Sequence, residues 1–178
     1  YSLSLQVLAL MTAITLIPSL ILGMSSFTRI IIVLSILRQA LGTQQTPPNQ
    51  VLIAIALFLS FYIMEPTLSL IYEVALDPYL KENIGANQAI LNAREVIYGF
   101  LISNTRPETI TMFAELRGIE QFESSDDVPL SILMPSFITS ELKTAFQIGF
   151  LLFLPFLVID MVIASVLMSL GMMMLSPM

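Results

Sequence analysis

Four charged side chains stand inside otherwise apolar sequence: Arg29, Glu141, Lys143 and Asp160. Asp160 is the single charge in the 28 residues from Ile148 to Leu175. An unpaired carboxylate in such a helix costs several kcal/mol, so it must be paired, protonated or placed on an ion path. On a helical wheel Ala164 lies about 40° and Gly171 about 20° from Asp160, so small residues share its face. That face suits close packing against another helix. Glu141 and Lys143 are two residues apart and point in different directions, so each is expected to bond another subunit or another hairpin. Arg29 follows Ser25 and Ser26 by one turn, and is expected to satisfy backbone carbonyls at a break in the helix. Met172, Met173 and Met174 cannot all lie on one helix face, because successive residues rotate by about 100°. Methionine serves either as lipid-facing filler or as an adaptable apolar surface for varied partners.

The absences are as informative. The chain has no cysteine and no histidine, which removes thiolate and imidazole metal sites, Ser-His-Asp triads and Cys-His dyads. An intramembrane aspartyl protease needs a second acid beside Asp160, and a Ser-Lys dyad would have only Lys143. No nucleophile has a base beside it, so an enzyme, a cofactor and a bound metal are not expected. The balance of 13 acids against 7 bases, with no basic stripe, argues against nucleic acid as a partner.

The elements that must position these residues follow from composition. Of 178 residues, 56% are hydrophobic and 11% charged, against roughly 25% charged in an ordinary soluble domain. Mean hydropathy is +0.88. A soluble fold of this size cannot hide that much apolar sequence in one core, because surface grows too fast relative to volume. The charge is unevenly placed: residues 65–128 hold eleven acids and four bases, while the remainder holds Glu141 and Asp160 against Arg29, Arg38 and Lys143.

The reading is therefore all-α, with apolar helical hairpins around a small inserted helical lobe. Residues 1–72 form the first hairpin. Its leading block, Leu3 to Leu37, would make roughly 50 Å of helix against a hydrocarbon core of ~30 Å. It is either a span followed by a second helix or one helix kinked at Pro18 or Gly23. A turn at 38–50 follows, with Gly42 as C-cap and Thr46-Pro47-Pro48-Asn49 as helix breaker. Arg29 and Arg38 lead into that turn, which places it in the cytoplasm and the 73–128 segment outside. The start at Tyr1-Ser2, with no base before Arg29, agrees with a mature chain whose signal has been removed. In the 73–128 lobe, a helix over 87–103 shows Ile90, Ile97 and Leu101 on one face. Another over 106–117 starts at a capping box, Thr105-Arg106-Pro107-Glu108, and stops at Gly118. Glu120–Asp127 reads as an acidic surface loop. Residues 129–178 form the third apolar helix, restarting near Met134-Pro135-Ser136 and ending with the methionines near the cytoplasmic side.

Several stretches then match one family. They are Ser26-Phe27-Thr28-Arg29-Ile30-Ile31-Ile32-Val33-Leu34, Leu37-Arg38-Gln39-Ala40-Leu41-Gly42 and Thr46-Pro47-Pro48-Asn49-Gln50-Val51-Leu52. Later come Thr139-Ser140-Glu141-Leu142-Lys143-Thr144-Ala145-Phe146-Gln147-Ile148-Gly149-Phe150 and Ile163 through Met174. The chain resembles the FliP family of flagellar type III export-gate subunits, which is related to a subunit of virulence injectisomes. The resemblance implies a non-enzymatic protein of the bacterial inner membrane and the flagellar basal body. Several copies would assemble with two smaller gate subunits, of the FliQ and FliR types, into a tapered hetero-oligomeric pore. Unfolded flagellar proteins would leave the cytoplasm through it, served by the switch and export-engine proteins, with lipid only at the base. The methionine-rich loop, here Met172, Met173 and Met174, would line the pore as a gasket. The family usually also carries a cleavable signal and a further helix after the methionines. The alternative class is a secondary transporter module with Asp160 as its coupling acid.

Overall fold

The computed structural model describes residues 2–178, and among these it is helical with no strand. The long N-terminal block divides in two, α1 (Leu3–Gly23) and α2 (Phe27–Ala40), separated by Met24–Ser26. The break falls after Gly23, and Pro18 stays inside α1. Ser25 makes the break affordable: its hydroxyl donates to the Leu22 carbonyl (2.8 Å) and accepts from the Phe27 amide (3.2 Å), serving both helix ends.

After α2, Gly42 takes a left-handed φ of 75°, the usual way to leave a helix. The Arg38 guanidinium holds the turn by donating to the Pro47 carbonyl (3.2 Å) and Asn49 Oδ1 (2.6 Å). α3 (Asn49–Ile71) passes straight through Glu65-Pro66. A wide turn at Tyr72–Leu76 joins it to the short α4 (Asp77–Leu80), giving an unbroken run of 32 residues. α5 (Ala86–Asn104) and α6 (Pro107–Glu115) follow, then a 3-10 turn at Ser125–Asp127 and α7 (Leu130–Ser169).

Three local expectations are corrected. The capping box does not form: Arg106 is the N-cap of α6, and the buried Thr105 hydroxyl donates back to the Leu101 carbonyl at 2.6 Å. α7 begins at Leu130 and carries Pro135 and Pro155 inside one 40-residue helix, so there is no restart at Met134. Of the Ile90, Ile97 and Leu101 face, Ile90 is exposed, because only the C-terminal half of α5 reaches the core.

That core is small. Leu101, Val128, Ile132, Leu133 and Phe137 are buried, with Ile97, Tyr98, Ile110, Phe113 and Met24 packed around them. The Tyr98 hydroxyl lies 2.8 Å from the Ser125 carbonyl and 2.7 Å from that of Val128, tying down the acidic loop. Burial, with Asp126 adding to it, pushes the Tyr98 phenol above its ordinary value.

α2 runs parallel to the middle of α7 and antiparallel to α3. Ser60 of α3 donates to Ser25 at 3.4 Å, and Leu52, Ala56 and Ser60 are its buried positions. Where α2 meets α7 the contact is close because Ala145 and Gly149 are small and buried. A Cβ on Gly149 would sit 2.4 Å from Ile36 Cδ1, 3.1 Å from Cγ2 and 3.3 Å from Cβ. Rotating the Ile36 tip away relieves only the first of these. Gly149→Ala is therefore expected to destabilise by about 1–3 kcal/mol, outweighing the roughly 1 kcal/mol that alanine gains in helix propensity. Ile36→Ala in the same chain should restore much of the loss, read by thermal unfolding in detergent.

Three helices are long and apolar enough to cross a membrane: Leu3–Gly23, Asn49–Leu80 and Leu130–Ser169. The chain exposes 12431 Å², whereas a compact soluble protein of this mass exposes about 8,600 Å². None of the residues of α1 is buried, and from Phe150 onward α7 buries none either. This fold needs lipid or other subunits to cover it.

Candidate functional site

The site lies on one stretch of α7, Ser136 to Gly149, with α2 on one side and the start of α6 on the other. Glu141 is 1% exposed, and Arg29 of α2 meets it with two parallel hydrogen bonds. The Nε–Oε2 bond is 2.9 Å, and Nη2 pairs with Oε1. Such a fork fixes orientation as well as charge. Arg29 thus spends its guanidinium on Glu141 and not on backbone carbonyls, which corrects the expectation; Ser25 satisfies the helix break instead. Glu141 finds its partner on the first hairpin of the same chain.

The neighbouring polar positions recur at helical spacing. Ser136 donates to the Ile132 carbonyl at 2.6 Å. Ser140 accepts from the Arg106 amide (3.1 Å), and the Arg106 guanidinium donates to Thr144 Oγ1 (3.2 Å) and Gln147 Oε1 (2.7 Å). Arg106 was missed by sequence reasoning. The signal was present in the i, i+4, i+8, i+11 spacing of Ser136, Ser140, Thr144 and Gln147, a polar stripe awaiting a partner. About two turns of α7, Ser140 to Gln147, consequently hold the first hairpin through Arg29 and the inserted lobe through Arg106.

The other singled-out residues lie apart. Lys143 is exposed and has no polar partner among the described residues, so the expected bond to another hairpin is not made within this chain. Asp160 is half-buried, nineteen residues and about 28 Å along α7 from Glu141, with no hydrogen bond or ion pair among the described residues. Ala164 does share its side of the helix. Gly171 does not, because α7 ends at Ser169 and Gly171 turns the chain away with φ 79°. Met172, Met173 and Met174 follow that turn and stand outside the helix, the last two 78% and 99% exposed. Beyond them Met178 comes back to within 3.3 Å of where a Gly42 Cβ would be. The methionines and the 38–50 turn therefore share one end of the molecule, and α5 and α6 pack at the other. No group of three or more acids that could hold a metal ion occurs among the described residues.

The model of the FliP family matches residues 10–178. The flagellar biosynthetic protein FliP of Cereibacter sphaeroides is 67% identical over 178 residues, all of this chain and 59% of that protein. Its namesakes in Pectobacterium carotovorum subsp. carotovorum and Bacillus subtilis (strain 168) are each 49% identical. They are matched over 99% and 97% of this chain, which covers 69% and 78% of their lengths.

Proposed function

This chain belongs to the FliP family, and from that membership we infer that it is a core subunit of the flagellar type III export gate. Several copies, joined by smaller subunits of the FliQ and FliR types, form the pore through which unfolded flagellar proteins leave the cytoplasm. The switch and export-engine proteins would deliver those substrates. The observation that carries the reading is the uncovered apolar surface. α1, the outer face of α3 and the distal half of α7 are apolar and exposed, while most of the polar groups near Glu141 are satisfied within the chain. A self-contained transporter would do the reverse, converging polar groups on a central path and covering its own helices.

The same reading orients the chain. The 38–50 turn and the methionines lie toward the cytoplasm, and the lobe built on α5 and α6 lies on the outer side of the bacterial inner membrane. The test is the mass of the complex purified from cells. A multi-copy assembly that retains the smaller subunits is expected, and a monomer would overturn the proposal.

Asp160 belongs, in this proposal, to a contact between chains. Asp160→Leu should leave unfolding of the isolated chain within about 0.5 kcal/mol of the parent, as for a surface change, because no partner within the chain is stranded. The yield of assembled complex should fall well below half, since the partner on the neighbour loses its acceptor. Full complex yield and full motility would remove Asp160 from the interface.

A further inference from the structure

We propose that the wide turn at Tyr72–Leu76 is a hinge between α3 and the inserted lobe, latched by Asn92. The turn has a local cause. Pro78 has no amide hydrogen, and in a regular helix its ring would collide with the carbonyl four residues back, that of Val74. The chain avoids this by opening one turn, so that the Asp77 amide bonds the Tyr72 carbonyl five residues away. Widened turns of this kind are uncommon and concentrate where a helix has work to do. The Val74 carbonyl, whose regular helical donor would have been the amide that Pro78 lacks, accepts the side-chain amide of Asn92 on α5 at 2.8 Å. Gln88 Nε2 in turn donates to Asn92 Oδ1 at 2.8 Å, so both ends of that amide are held.

α3 and α5 are in contact, with open space left along part of their facing sides. A cleft of about 610 Å³ opens between Pro66, Thr67 and Leu70 on one side and Val96, Gly99 and Phe100 on the other. A Cβ on Gly99 would meet nothing within 4 Å, so α5 presents bare backbone to open space there. The opposite face of α5 is secured, because Leu101, Ile97 and Tyr98 sit in the core on α7. The lobe is thus bound to α7 by apolar packing, and the specific polar tie from α5 to the end of α3 is Asn92. α3 can swing against the lobe at the wide turn, with the cleft as the volume it moves into. Hinges of this kind absorb rotation at the terminus of an element and leave packed cores intact.

The chain has no cysteine, so spin labels at Leu68→Cys and Ser103→Cys report the α3–α5 separation in the purified complex on a clean background. Asn92→Leu is expected to broaden that distance distribution by several ångströms. It should also speed hydrogen exchange of the Leu76 and Asp77 amides roughly five- to tenfold, the scale of one lost hydrogen bond. Gly99→Leu, which fills the cleft, should narrow the distribution. Should Asn92→Leu fail to assemble, Pro78→Ala restores the missing donor, and a regular helix with exchange slowed at Leu76 and Asp77 is then expected. Distances and exchange unchanged in Asn92→Leu, or in Pro78→Ala where that variant is used, would overturn the hinge.

Discussion

Cells carrying Gly in place of Met172, Met173 and Met174 together are expected to assemble the export complex and yet leak small ions. A pore that admits an unfolded chain also admits hydrated ions, so it needs a seal that yields to irregular side chains. Methionine fits, being apolar, unbranched and soft. Several copies presenting these residues would make a constriction that stays dry when empty, as hydrophobic gates do. The three lie outside α7, after the Gly171 turn, and Met173 and Met174 touch little within the chain. Met172 is about half covered, so their removal takes little from the fold, and the monomer should unfold within about 0.5 kcal/mol of the parent. The readout is ion conductance, or growth in high salt, beside a check of assembly. An assembled triple variant that stays ion-tight would reduce the methionines to packing.

The second large effect concerns Arg29 and Glu141, and it is asymmetric. Arg29→Met leaves a carboxylate that is 1% exposed with no counter-charge, and should cost about 3–5 kcal/mol. Glu141→Gln leaves the guanidinium, whose side chain is 34% exposed and can turn toward water. It keeps one neutral acceptor, so the cost should be nearer 1–2 kcal/mol. The double variant Arg29→Met with Glu141→Leu should recover most of the loss, because apolar replacements of similar volume commonly match a buried ion pair. Denaturant unfolding in detergent separates the cases. Equal losses in both single variants, or a double variant worse than Arg29→Met, would show that the pair is not the uncompensated-charge problem described.

What the sequence determined by itself was the class of the molecule and its blocks. The long apolar blocks, the Pro-Pro-Asn turn and the low charge have consequences set by transfer free energies and backbone restrictions that need no tertiary context. The helices over Ala86–Asn104 and Pro107–Glu115 were legible for the same reason, since the 3.6-residue period survives in a single chain. Polar pairing was not legible. Arg29 and Glu141 are 112 residues apart, and nothing local says that α2 lies parallel to α7 at that register. The close approach of Gly149 to Ile36 decides it, and such steric fit exists only once both helices are in place. Local rules also lost where packing competed with them. Pro135 did not start a helix, because Ile132 and Leu133 before it had a core to enter. Thr105 did not cap α6, because its hydroxyl, buried beside Leu101, had a nearer carbonyl to satisfy. Apolar periodicity is a property of the chain, whereas the choice among partners for a buried polar group belongs to whatever the tertiary fold brings within hydrogen-bonding distance.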